Sequence, residues 1–88
     1  SFHKLSNGNI LITSTSAVAT NSGVHLYDVT SKQITKIYDF GYGWDTFEED
    51  ENGVKISASS NSSQGSIYYD FETGICEPVE NATELAVA

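Results

Sequence analysis

The feature that most constrains this chain is that it is written twice. Phe2, Asn7 and Gly8 return as Phe47, Asn52 and Gly53, 45 residues on. Gly23, Leu26, Tyr27 and Asp28 return as Gly65, Tyr68, Tyr69 and Asp70, 42 residues on. The second copy is therefore expected to lose three residues in the loop before its third run, where a change of length costs little. A repeat of this size is a single supersecondary unit that cannot bury its apolar face by itself, so the two copies must cover each other or find other cover.

Neither copy has a helical period: no stretch of eleven or more residues places apolar side chains at i, i+3, i+4 and i+7. Short runs rich in β-branched and aromatic residues stand instead at Phe2–Leu5, Asn9–Thr15, Gly23–Val29, Gln33–Phe40, Trp44–Glu49, Val54–Ser59, Ser66–Phe71 and Ile75–Val79. Turn signals separate them, among them Ser6-Asn7-Gly8, Gly41-Tyr42-Gly43, Glu51-Asn52-Gly53 and Thr73-Gly74. The reading is all-β, with four antiparallel strands per copy. At 88 residues there is room for one domain, 1–88, with repeats over about 1–43 and 44–80 and a tail at 81–88.

Charge narrows the partners. Four Lys plus Arg against twelve Asp plus Glu give a net charge of -8, so no basic patch is expected to neutralise phosphates, and neither nucleic acid nor an anionic membrane is an expected partner. The apolar runs, Ile10 to Ile12 among the strands and Leu85 to Ala88 at the end, are far short of a spanning helix. With Cys76 alone, neither an internal disulfide nor a cysteine-based metal cluster is available to one chain. So short a chain leaves a thin margin of stability, which brings association into the reading at once. The lack of Met fits either a processed product or a piece of a longer protein, and an extracellular or cell-surface setting is favoured.

Few residues carry reactive chemistry. His3 and His25 are the side chains that could serve as general bases near neutrality, but neither has ligand spacing around it, and His25 aligns with Ile67 as a packed strand residue. Cys76, in a last strand, reads as a small buried hydrophobe rather than a nucleophile. The acidic run Glu48-Glu49-Asp50-Glu51 with Asn52-Gly53 contains a fragment of calcium-loop spacing, which makes Asp50 and Asn52 a weak calcium candidate. A solvated hairpin tip explains the same run, because adjacent strand carboxylates point to opposite faces. No cofactor is expected, and no enzymatic activity. Asn61-Ser62-Ser63 and Asn81-Ala82-Thr83 match the N-glycosylation pattern at the frequency chance allows.

The stretch Tyr38-Asp39-Phe40-Gly41-Tyr42-Gly43-Trp44-Asp45 joins the two copies. Its glycines permit sharp turns that present rings beside carboxylates, the arrangement that stacks on a sugar and accepts from its hydroxyls. Tyr42, Trp44, Asp39 and Asp45 are the expected ligand-binding residues.

A unit of 42 to 45 residues holding four antiparallel strands, with one strand following Asn-Gly and the next ending in an aromatic-plus-Asp pair, resembles a blade of a β-propeller. That resemblance implies partners: two blades cannot close a ring, so the chain would join copies of itself in a cyclic homo-oligomer, or the remaining blades of a longer chain. The layout from Val24-His25-Leu26-Tyr27 through Lys32-Gln33-Ile34 to Gly43-Trp44 is also similar to fucose-binding lectins that build six-bladed propellers from two-blade chains. Where those lectins hold the sugar with an Arg and a Glu, this chain offers His25 and Lys36, and its second copy ends in Glu77-Pro78-Val79 without a Gly-x-Gly-Trp. What the resemblance implies is a non-enzymatic binding or scaffold module, with a glycan as one ligand class. The alternatives are a fragment of a larger propeller enzyme, or an eight-stranded sandwich or barrel. The second copy favours the sandwich, since Val54, Ile56 and Ala58 alternate with Lys55, Ser57 and Ser59 as in a strand with one side in water.

Overall fold

The computed structural model describes residues 1–13, 22–59 and 62–79. The described residues form eight strands: β1 (Phe2–Lys4), β2 (Ile10–Thr13), β3 (Val24–Asp28), β4 (Gln33–Tyr38), β5 (Thr46–Glu49), β6 (Gly53–Ser57), β7 (Ser66–Asp70) and β8 (Cys76–Pro78). They form two antiparallel four-stranded sheets, each a meander in chain order, β1 to β4 and β5 to β8. A 3-10 turn, Ser62–Gln64, precedes β7, and none of the described helices is long and apolar enough to cross a membrane. Every strand falls within one of the eight runs read from sequence, except that β6 begins one residue early, at Gly53.

The repeat is sharpest in the turns that close the third and fourth strands. Asp28 Oδ1 accepts from the Thr30 and Ser31 amides while its carbonyl accepts from Lys32 N. Asp70 does the same for Glu72, Thr73 and Gly74. A short carboxylate bonding its own backbone two and three residues on makes the turn self-contained, which is why Asp recurs at this place. Gly74 has φ 72 and its counterpart Lys32 has φ 60, so the first copy accepts a left-handed lysine at a cost of roughly 1–2 kcal/mol.

Strand register extends the equivalence across each sheet. One cross-strand row, Lys4–Ile10–Tyr27–Ile34, corresponds to Glu49–Val54–Tyr69–Cys76. The adjacent row on the same face, Phe2–Ile12–His25–Lys36, corresponds to Phe47–Ile56–Ile67–Pro78. The separations are 45 residues for the first strand, 44 for the second and 42 for the third and fourth.

This corrects the sequence alignment in one place. One of the three missing residues is lost from the first hairpin, so Gly53 does not repeat Gly8. Gly8 is a turn glycine at φ 95, whereas Gly53 lies inside the β6 ladder opposite Asp70 and is not in the left-handed region. Gly53 is glycine for another reason: a Cβ there would stand 2.1 Å from the Tyr69 carbonyl oxygen and 2.8 Å from the Tyr68 ring.

The sheets pack face to face, with Leu5, Leu11, Val24, Trp44, Val54, Ile56, Ala58, Ile67 and Tyr69 as the core. Burying an aliphatic side chain such as Ile56 contributes roughly 1.5–3 kcal/mol. β1 lies on β5, where the His3 ring stacks on Phe47 at 4.7 Å, and β4 packs against β8. The first sheet faces the second with Leu11, Val24 and Leu26, and the second faces the first with Val54, Ile56, Ile67 and Tyr69. These two sets are not repeat equivalents. The counterparts of Val54, Ile56, Ile67 and Tyr69 are Ile10, Ile12, His25 and Tyr27, on the far side of the first sheet. The contact therefore joins one face of the repeat to its opposite face, whereas a two-fold pair of sheets would join like to like.

Candidate functional site

The linker from Asp39 to Asp45 returns the chain from β4 to β5, and its local chemistry explains its path. Gly23 N donates to Gly41 O at 2.6 Å, and Gly41 has φ 80. A Cβ on Gly41 would meet the Gln64 side chain at 2.6 Å and the Trp44 ring at 2.8 Å, so this position admits only glycine. Gln64 then behaves like a missing strand neighbour: its Oε1 accepts from Tyr42 N at 3.1 Å and its Nε2 donates to Tyr42 O at 2.9 Å.

The four residues expected to hold a ligand meet different fates. Trp44 corrects the expectation: at 1 % exposure it is a core residue between the sheets, with its indole N–H donating to Phe40 O at 3.1 Å and its ring edge-on to Tyr38. Its carbonyl accepts from the Thr13 hydroxyl, the polar side chain buried with it. A ring packed on both faces has none left for a sugar. Tyr42 is 41 % exposed, and Phe40, 60 % exposed, is the other large side chain the linker presents to solvent.

Asp45 is occupied in holding the loop after β6. Its carboxylate accepts from Ser59 N at 2.9 Å, Ser59 Oγ at 2.7 Å and Thr46 Oγ1 at 3.2 Å, and the Ser59 backbone bond leads in holding its pKa below the ordinary carboxylate range. Asp39 pairs with Lys36 at 3.0 Å on the surface. The structure therefore brings Asp39 and Lys36 together and ties Asp45 elsewhere.

The calcium candidate is likewise a structural device. Asp50 Oδ1 accepts from Asn52 N at 2.8 Å, Gly53 N at 2.9 Å and Tyr68 OH at 2.8 Å, closing the β5–β6 hairpin. The Tyr68 hydroxyl is the leading cause of its lowered pKa. Conversely, partial burial first, and the bond to Asp50 second, push the Tyr68 phenol up to about 12. Among the described residues no group of three or more His, Cys, Asp or Glu is placed to hold a metal.

The sequence did not single out Tyr68, yet it borders three clefts on the outer face of the second sheet. The largest, about 570 Å³, runs over Glu51, Asn52, Asp70, Phe71 and Glu72. A second, about 480 Å³, runs over Glu48, Glu49, Asp50, Lys55 and Val79. Periodicity could have found Tyr68, since its partners in the register, Lys55 and Glu77, are all on the polar side of the alternation.

Of the reactive groups, His3 lies between the sheets with Nε2 3.8 Å from Glu49, whose carboxylate accepts from Ser6 N. His25 lies on the outer face of the first sheet between Ile12 and Lys36. Cys76 is half-buried in β8 and burial pushes its thiol up to about 12, which leaves little thiolate at neutral pH. The sequon asparagines, Asn61 and Asn81, and the tail at 81–88 lie outside the described residues. Set against known proteins, the chain matches no family model, no curated protein and no solved structure.

Proposed function

We propose that this chain is a pair of consecutive blades of β-propeller type, working as a non-enzymatic binding or scaffold module whose partners are other blades. One observation carries the reading. The interface between the sheets joins a face of the repeat to its opposite face, as stacking by rotation requires, and so leaves one copy of each face open. The open face of the first sheet, Phe2, Lys4, Ile10, Ile12, His25, Tyr27, Ile34 and Lys36, is the counterpart of the face that the second sheet buries. Phe2 at 76 % and Ile34 at 60 % exposure are large apolar side chains on it. The non-enzymatic part rests on the protonated Cys76 thiol and on His3 being enclosed between Phe47 and Glu49.

A glycan remains the ligand class to test at the linker, where Phe40 and Tyr42 are the rings that face solvent. The eight-stranded sandwich is the second reading, supported by the polar outer face of the second sheet, where Lys55, Ser57, Ser66 and Tyr68 stand.

The test asks whether the open face of the first sheet is a contact surface. The protein is expected either to assemble or to bind an apolar fluorescent dye, and Phe2→Lys with Ile34→Lys is expected to abolish both. A dye-silent monomer indifferent to these substitutions would return the chain to the sandwich reading.

A further inference from the structure

We infer that copies of this chain join head to tail, the outer face of the second sheet of one copy covering the outer face of the first sheet of the next, with Glu48 set against Lys4 and Glu77 against Lys36. This rests on the blade reading above, and adds to it the identity of the covering face and the residues that select it.

The argument transposes a contact already present in the molecule. Within one copy His3 stacks on Phe47 with its Nε2 3.8 Å from Glu49. Register gives each of these a counterpart in the other sheet: Glu48 for His3, Phe2 for Phe47 and Lys4 for Glu49. Carried through the repeat, Glu48 of one copy lies over Phe2 of the next, with its carboxylate beside Lys4. The edge contact transposes in the same way. β4 packs against β8 within one copy, so β8 of one copy is carried against β4 of the next, which brings Glu77 of β8 to the same edge as Lys36 of β4.

Charge supports this occupant. The chain has four cationic side chains against twelve acidic ones, yet the two rows on the open face of the first sheet carry Lys4 and Lys36 and no carboxylate. The row that would cover them, Glu48–Lys55–Tyr68–Glu77, has a carboxylate at each end and a cation inside. Lys55 keeps Glu48 as its cross-strand neighbour, and Lys36 is held by an exposed Asp39 that can share it. Opposite charges at the rim of an apolar contact fix its register and disfavour the like-with-like pairing of two first sheets, which would set lysines against lysines.

The experiment measures solution mass by light scattering over a concentration series. The native chain is compared with Lys4→Glu/Lys36→Glu, with Glu48→Lys/Glu77→Lys, and with the chain carrying all four changes. All four positions are exposed, and far-UV circular dichroism checks that each variant is folded. A discrete oligomer is expected for the native chain. Each double variant should associate roughly tenfold more weakly or worse, and the fourfold variant should recover.

Three outcomes overturn the inference. An oligomer broken by Phe2→Lys and Ile34→Lys but indifferent to Glu48 and Glu77 means that another surface covers the face. A monomer that binds the apolar dye through Phe2 and Ile34 also ends the inference, while leaving the blade reading standing. A monomer that binds no dye ends both.

Discussion

The two sheets have the same strand order, the same register and the same Asp-closed turn, and they differ in which face is covered. Ile12 and Ile56 are the same residue at equivalent points of the ladder, yet Ile56 is fully buried and Ile12 is half-exposed. The repeat dictates geometry, and which face meets the other sheet dictates burial. The polar alternation of β6 matches this: within one chain Lys55 and Ser57 stand on the outer face of the second sheet, whereas their counterparts Leu11 and Thr13 stand on the inner face of the first.

The largest blow to this comparison comes from the residue that belongs to neither sheet. Trp44→Ala empties a packed site between the two sheets and is expected to cost about 3–5 kcal/mol, a large part of the stability of so small a domain, read from a denaturant titration. A loss below about 1 kcal/mol would mean that the two sheets do not depend on it.

A sharper test uses the matched pair. Ile56→Ala should cost about 2–5 kcal/mol, while Ile12→Ala, at concentrations that hold single copies, should cost under about 1 kcal/mol. Equal losses would show that the outer face of the first sheet is already covered within one chain.

The two glycines of the first hairpins separate by mechanism. Gly53→Ala forces a methyl against the Tyr69 carbonyl and should cost about 1–3 kcal/mol, whereas Gly8→Ala, with its nearest neighbour Val29 at 3.7 Å, meets backbone strain alone at about 1 kcal/mol. A larger loss at Gly8 than at Gly53 would mean that left-handed backbone strain outweighs the clash across the ladder.

The last effect is nil at neutral pH and emerges only in alkaline solution, as a pH dependence in the second sheet. Burial raises the Cys76 thiol to about 12 in the folded chain, above its usual value near ~8.5, so the folded state holds this proton more firmly than the unfolded one. The associated stability is fully present below pH ~8.5 and is lost as pH rises toward 12. Cys76→Ser is expected to flatten that part of a stability-against-pH curve, and a curve unchanged by the substitution would remove the thiol from the account.

Much of the fold was legible because the signals were local. Asp28 and Asp70 closing turns on their own backbones, and β-branched runs of strand length, name their structure without reference to anything distant. The one misaligned turn shows the limit: Asn-Gly marks a left-handed turn at Gly8, yet at Gly53 the glycine answers to the backbone of Tyr69 across the ladder, a non-local demand that looks identical in sequence. The candidate site was less legible for the same reason. Gly-Tyr-Gly-Trp-Asp gives the linker its flexible turns and its rings, but whether a ring faces water or a second sheet is decided by packing. Trp44 went inward, Tyr42 and Phe40 outward, and Asp45 was claimed by Ser59, which is 14 residues away.

Trp44 is also the single tryptophan of the chain, and it sits where the two sheets meet, edge-on to Tyr38 of the first and beside core residues of the second. Its emission is therefore a clock for one event. Each meander is assembled from hairpins between neighbours in sequence, which form in microseconds, and backbone spectroscopy follows that step. Indole fluorescence instead follows the docking of one finished sheet on the other, so the natural sequence carries a built-in reporter that separates the making of the sheets from their meeting.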